Sequence, residues 1–130
     1  MGQQQLLLII LGVIVVGIAV AVGITMFQDN AVSANRDAVT NDLVNLAARA
    51  QQYYRRPTAL GGGQGSFATI QLNHLTSKPS NANGSYVLSS PSAASVTLTG
   101  TGVELGNDGS TPVEVEMIVY ADSMTTTVSN

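Results

Sequence analysis

A chain of 130 residues has room for one modest globular domain and an appendage. It has no cysteine, which excludes disulfide staples, thiolate nucleophiles and Cys-ligated zinc, and its net charge is −3. The charge is unevenly placed. Residues 1–28 carry none, residues 29–56 carry Asp29, Asp37 and Asp42 against Arg36, Arg49, Arg55 and Arg56, and beyond them Lys78 alone faces Glu104, Asp108, Glu114, Glu116 and Asp122. Phosphate binding needs clustered Lys or Arg, and the pair Arg55-Arg56 is too small a footprint, so no nucleic-acid partner is expected.

Residues 6–24 are drawn only from Leu, Ile, Val, Ala and Gly. As a helix they span roughly 29 Å, the thickness of a bilayer's hydrocarbon core. A helix apolar on every face is buried in lipid or in the centre of an assembly. A cleaved secretory signal wants a basic start and a shorter apolar stretch. Here Gln3-Gln4-Gln5 takes the basic place, although Ala19-Val20-Ala21 is a passable cleavage triplet. A plain membrane anchor and a filament-core helix are the remaining readings. Gly12, Gly17 and Gly23 recur at spacings of five and six, which is not the GxxxG pattern. They fit ordinary tolerance of glycine in membrane helices, and equally close helix–helix approach during assembly.

The helical pattern continues past the apolar stretch. Val32, Val39, Leu43, Leu46, Ala50 and Tyr53/Tyr54 recur at spacings of seven, four, three, four and three or four, with Asp, Asn and Arg assigned to the other face. Pro57, directly after Arg55-Arg56, stops the helix. One helix from about residue 4 to 55 is on the order of 75–80 Å long, more than an anchor needs.

Residues 61–65 (Gly-Gly-Gly-Gln-Gly) are expected as a flexible loop, lacking the Lys-Ser/Thr ending of a phosphate cradle. Residues 66–70 are expected as extended chain. Asn83-Gly84 is a tight-turn dipeptide leading into Tyr86-Val87-Leu88. Residues 95–99 alternate, and residues 101–105 follow as a separate run after Gly100. Residues 106–109 mark a turn. Residues 113–120 form the best strand, with Val113, Val115, Met117 and Val119 on one face and Glu114 and Glu116 on the other. Residues 124–128 add an edge strand. This is an antiparallel meander whose apolar face needs a cover, and the stripe Val32, Val39, Leu43, Leu46 and Ala50 supplies it. The expected fold class is α+β: one long N-terminal helix packed against a small antiparallel sheet. Its parts are an apolar half-helix (1–28), an amphipathic half-helix (29–56) and a β-sheet domain (57–130).

This layout resembles the type IV pilin and pseudopilin superfamily, whose subunits have a lollipop outline. The stretch Met26-Phe27-Gln28-Asp29-Asn30 through Asn41-Asp42-Leu43-Val44-Asn45-Leu46-Ala47-Ala48 is similar to the corresponding pilin helix, and the rest is similar in architecture only. The resemblance implies a structural subunit of an extracellular helical homopolymer, its partners further copies of itself, residing in the inner or cytoplasmic membrane before assembly. If Met1 is the first residue, Gln5 stands where most pilins have a glutamate that neutralises a neighbour's amine. If Met1-Gly2 is instead a leader, it lacks the basic residues of prepilin leaders. The usual helix-breaking proline is also absent, with Val22 near its place. Gln5, Gly12, Gly17 and Gly23 are the candidate assembly residues. A minor pseudopilin lacking the acid, or a single-span anchored binding domain, are the alternatives.

No enzyme chemistry is expected. The single His74 sits in Leu72-Asn73-His74-Leu75 and cannot build a zinc site without further ligands. Asn107-Asp108-Gly109 has a calcium-loop flavour, with Glu104, Glu114 and Glu116 as nominal ligands, but lacks the acidic run of an EF-hand. No cofactor or metal is expected. Asn83-Gly84-Ser85 matches the N-glycosylation sequon, making Asn83 a candidate acceptor.

Overall fold

The first helix is one unbroken element, α1 (Gly2–Arg55), in a computed structural model that describes residues 2–130. No proline interrupts it. At its end the glycine run folds back instead of swinging free. The backbone N–H groups of Gly63, Gly65 and Gln64 donate to the carbonyls of Tyr53, Tyr54 and Arg56 at 2.9, 2.7 and 3.0 Å. The last turn of a helix leaves such carbonyls without partners, so this loop is a cap, not a flexible linker.

A single 3-10 turn (Thr58–Leu60) and a one-turn helix α2 (Leu72–Leu75) precede the sheet. Residues 66–70, expected as extended, instead form a turn that places Phe67 and Ile70 together in the core. Burying two side chains three residues apart on one side requires a turn, because a strand would send positions 67 and 70 to opposite faces.

The sheet is a five-stranded antiparallel meander in the order β1 (Ser80–Asn81), β2 (Gly84–Ser89), β3 (Ser95–Leu105), β4 (Pro112–Tyr120) and β5 (Met124–Val128). β3 runs through Gly100 without a break, so the two expected runs are one strand. Gly100 is needed there for clearance: a Cβ would lie 2.6 Å from Val39 Cγ1 and 3.0 Å from the Tyr86 ring. Val113, Val115, Met117 and Val119 alternate inward and are fully buried, with Val119, Met117 and Val115 opposite Val96, Leu98 and Gly100 across the β3–β4 ladder. The ladder slips register between Thr101 and Leu105. The fold is α+β.

The chain divides into two compact units, one ending at Ala31 and one running from Val32 to Asn130. In the second, the core is closed by α1 side chains. Val39, Leu43, Ala47 and Ala50 are fully buried, Leu46 and Tyr53 nearly so, and Val32 packs on the rim. Asn35 shares this buried face, 8 % exposed, although its polar side chain predicts a place on the opposite face. It fills the seven-residue interval between Val32 and Val39, three positions from one and four from the other.

Candidate functional site

Within the first unit, α1 presents nothing but side chains to its surroundings. Fourteen large hydrophobics between Leu6 and Ile24 are each 52–68 % exposed. Each such side chain left in water forgoes about 1.5–3 kcal/mol of burial. The total is on the order of 20–40 kcal/mol, more than the whole stability of a small domain. The segment is long and apolar enough to cross a membrane, and its apolar stretch is not buried by the rest of the described chain. It can therefore act as a membrane anchor. Thr25 breaks the apolar run without leaving an unpaired hydroxyl, since its Oγ1 donates to the Ala21 carbonyl at 3.1 Å.

Gln5 lies on this helix and is exposed. At Gly12, Gly17 and Gly23 an added Cβ would meet no atom within 4 Å. These glycines are not required by packing inside the chain.

In the second unit, polar side chains converge on Asp42, one turn of α1 before the buried Leu46. Its Oδ2 accepts from Asn81 Nδ2 at 3.1 Å, from Asn83 Nδ2 at 3.0 Å and from the Tyr86 hydroxyl. Partial burial pushes the Asp42 carboxyl up, but the hydrogen bonds from Asn83, Tyr86 and Asn81 outweigh it and hold the group below its ordinary value. Burial, then the hydrogen bond to Asp42 and its charge, raise the Tyr86 phenol. The cluster ties the β1–β2 turn to the helix. Asn83, the sequon asparagine, is half-buried, and the nitrogen that would carry a glycan is the one bonded to Asp42. Sequence reasoning missed this cluster; its signal was Asp42 standing one residue before Leu43 on the packed stripe.

Beside it lies an open pocket of about 200 Å³, lined by Asn45, Arg49, Thr76, Lys78 and Asn81 together with Asp42. Arg49 is fixed there by a 2.7 Å hydrogen bond from its NH1 to the carbonyl of the buried Leu75.

The other candidates are occupied locally. The Asp108 carboxylate accepts from the Thr111 hydroxyl and from the backbone N–H groups of Thr111 and Ser110 at 2.9 and 3.0 Å, with Asn130 Nδ2 at 3.2 Å. Those bonds, the Thr111 hydroxyl first, hold Asp108 well below the usual carboxylate range. It is a turn-forming side chain. Among the described residues no group of three or more His, Asp or Glu side chains is arranged to hold a metal ion. His74 stacks on Tyr53 with ring centroids 5.0 Å apart, and its Nδ1 accepts from the Gln71 N–H at 3.1 Å.

The class these features define is a small α+β domain whose N-terminal helix carries an exposed, membrane-length apolar segment. No protein-family model, no curated protein and no solved structure matches the chain.

Proposed function

We propose that the protein is a pilin-like structural subunit that polymerises through its apolar N-terminal half-helix into an extracellular helical filament. Before assembly the same half-helix holds it in the inner or cytoplasmic membrane. The subunit works by packing against copies of itself and needs neither catalysis nor a cofactor. The observation that carries this reading is the run from Leu6 to Ile24, with every large side chain more than half exposed on a helix that continues into a domain core. Lipid satisfies such a surface in a monomer, and neighbouring helices satisfy it in a bundle. Gln5 suits the bundle, because a neutral amide costs far less to bury than a carboxylate.

Negative-stain microscopy of material sheared from cells tests the reading. Filaments containing this chain are the expected result, and recovery of the protein solely as detergent-soluble monomers would overturn it. The same fractions separate a major subunit from a minor, fibre-capping pseudopilin by stoichiometry. A second reading, a single-span anchor displaying a small binding domain, is favoured by the polar pocket beside Asp42. That reading expects the protein to stay in the membrane fraction.

A further inference from the structure

The pocket beside Asp42 is lined by two cationic side chains, Arg49 and Lys78, and by a single carboxylate, Asp42. Asp42, Asn45 and Arg49 reach it from successive turns of α1, at spacings of three and four, so they share one helix face. Thr76, Lys78 and Asn81 close it from the segment between α2 and β2. The one carboxylate among them is already engaged, since Asp42 Oδ2 takes hydrogen bonds from Asn81, Asn83 and Tyr86. Among the described residues neither Arg49 nor Lys78 has an acidic partner, and the Lys78 ammonium makes no hydrogen bond. Arg49 spends one N–H on the Leu75 carbonyl, which orients the guanidinium and leaves its other donors free.

We propose that this pocket binds a monosaccharide-sized hydroxy acid of the hexuronic type, whose carboxylate sits between Arg49 and Lys78. The space of about 200 Å³ suits a single sugar ring and little more. Among the described residues Asn45 makes no side-chain hydrogen bond and is free to pair with a ring hydroxyl, while Thr76 Oγ1, bonded to the Lys78 backbone, and the Asn81 amide, bonded to Asp42 and to the N–H groups of Asn83 and Gly84, form rigid pocket wall. The Asp42 charge at the pocket wall selects against a dianion, which separates a sugar carboxylate from inorganic phosphate. Guanidinium and ammonium donors to a carboxylate give the stronger, charge-assisted class of hydrogen bond.

The test is a titration of the isotope-labelled full chain in detergent micelles with D-glucuronate, D-glucose and inorganic phosphate, followed through the backbone amides of Thr76, Lys78 and Asn81. Saturable shifts with glucuronate are expected, with glucose weaker by about tenfold or more. Lys78→Gln is expected to weaken glucuronate by about fivefold to tenfold, because it removes one charged donor that has no partner in the fold. Arg49→Gln is expected to weaken it further, and its unchanged far-UV circular dichroism would separate lost binding from lost folding. Linear, unsaturable shifts, equal affinity for glucose, tighter binding of phosphate, or a Lys78→Gln variant that binds like the parent would each overturn the proposal.

Discussion

Asn35 Oδ1 occupies the space that a Cβ on residue 102 would need, so Gly102 and Asn35 are one device in two parts. The oxygen accepts from the N–H groups of Val103 and Glu104 at 3.1 and 3.3 Å, while Asn35 Nδ2 donates to the Asn83 carbonyl at 2.9 Å. Val103 and Glu104 lie where the β3–β4 ladder slips, and a slipped ladder leaves backbone groups unpaired. A helix side chain thus supplies the partners that the sheet cannot. Leaving those donors unpaired costs about 1–3 kcal/mol each.

Replacing Asn35 by Leu is accordingly expected to destabilise the folded domain by about 2–4 kcal/mol, and Gly102→Ala by about 1–3 kcal/mol through overpacking. The double variant should cost less than the sum, since both changes break the same contact. Urea denaturation of the four chains in detergent, monitored by near-UV circular dichroism, reads the coupling. Strict additivity would mean the two residues act independently.

Asp42 and Tyr86 predict stability losses at both ends of the pH scale. The Asp42 carboxyl is lowered in the folded chain, so its contribution is present above the unfolded value of about 3.9 and is lost as pH falls through the lower folded value. The Tyr86 phenol is raised, so its contribution is present below about pH 10 and is lost as pH rises past it. Tyr86→Phe should flatten the alkaline limb, and Asp42→Asn should flatten part of the acid limb. Melting temperatures measured from pH 2 to about pH 11 check both. Unchanged limbs in the variants would assign the pH dependence to other groups.

The sequon can be split by chemistry. Asn83 Nδ2 bonds to Asp42, whereas Ser85 is exposed on β2. Asn83→Ala should therefore cost about 1 kcal/mol, and Ser85→Ala, which removes the sequon equally well, about zero. Intact mass before and after Ser85→Ala shows whether a glycan is carried. Equal losses from the two variants would show that the Asn83 side chain is not a structural tie.

Gly12 and Gly17 separate folding from assembly. Nothing lies within 4 Å of a Cβ at either position, so Gly12→Leu or Gly17→Leu should leave the melting of the Val32–Asn130 unit unchanged. If filaments form by close helix contact, the same substitutions should sharply reduce the sheared filament fraction. Full filament yield from both variants would remove these glycines from the assembly contact.

Periodicity makes much of the architecture legible in the sequence. The alternation at Val113, Val115, Met117 and Val119 reports a half-buried strand because strand side chains repeat every two residues. The spacing of Val39, Leu43, Leu46, Ala50 and Tyr53 reports one helix face for the corresponding reason, and the buried face is that stripe joined by Asn35 and Ala47. The turn at Phe67 and Ile70 was illegible, because a run as short as residues 66–70 reads equally well as extended chain. The capping role of the glycine loop is hidden for a related reason: its composition speaks of freedom, and only the open carbonyls at the end of α1 show what that freedom serves.

By itself, then, the sequence determined the uncharged apolar half-helix, the packed stripe and the strand alternation, all consequences of near-neighbour spacing along one chain. The tertiary structure decided the roles of Asn35, Gly100, Gly102 and the Asp42 cluster. Each joins α1 to a strand tens of residues away, and a polar side chain at a buried position is tolerated only if a distant segment supplies its partner. No local pattern encodes that partner.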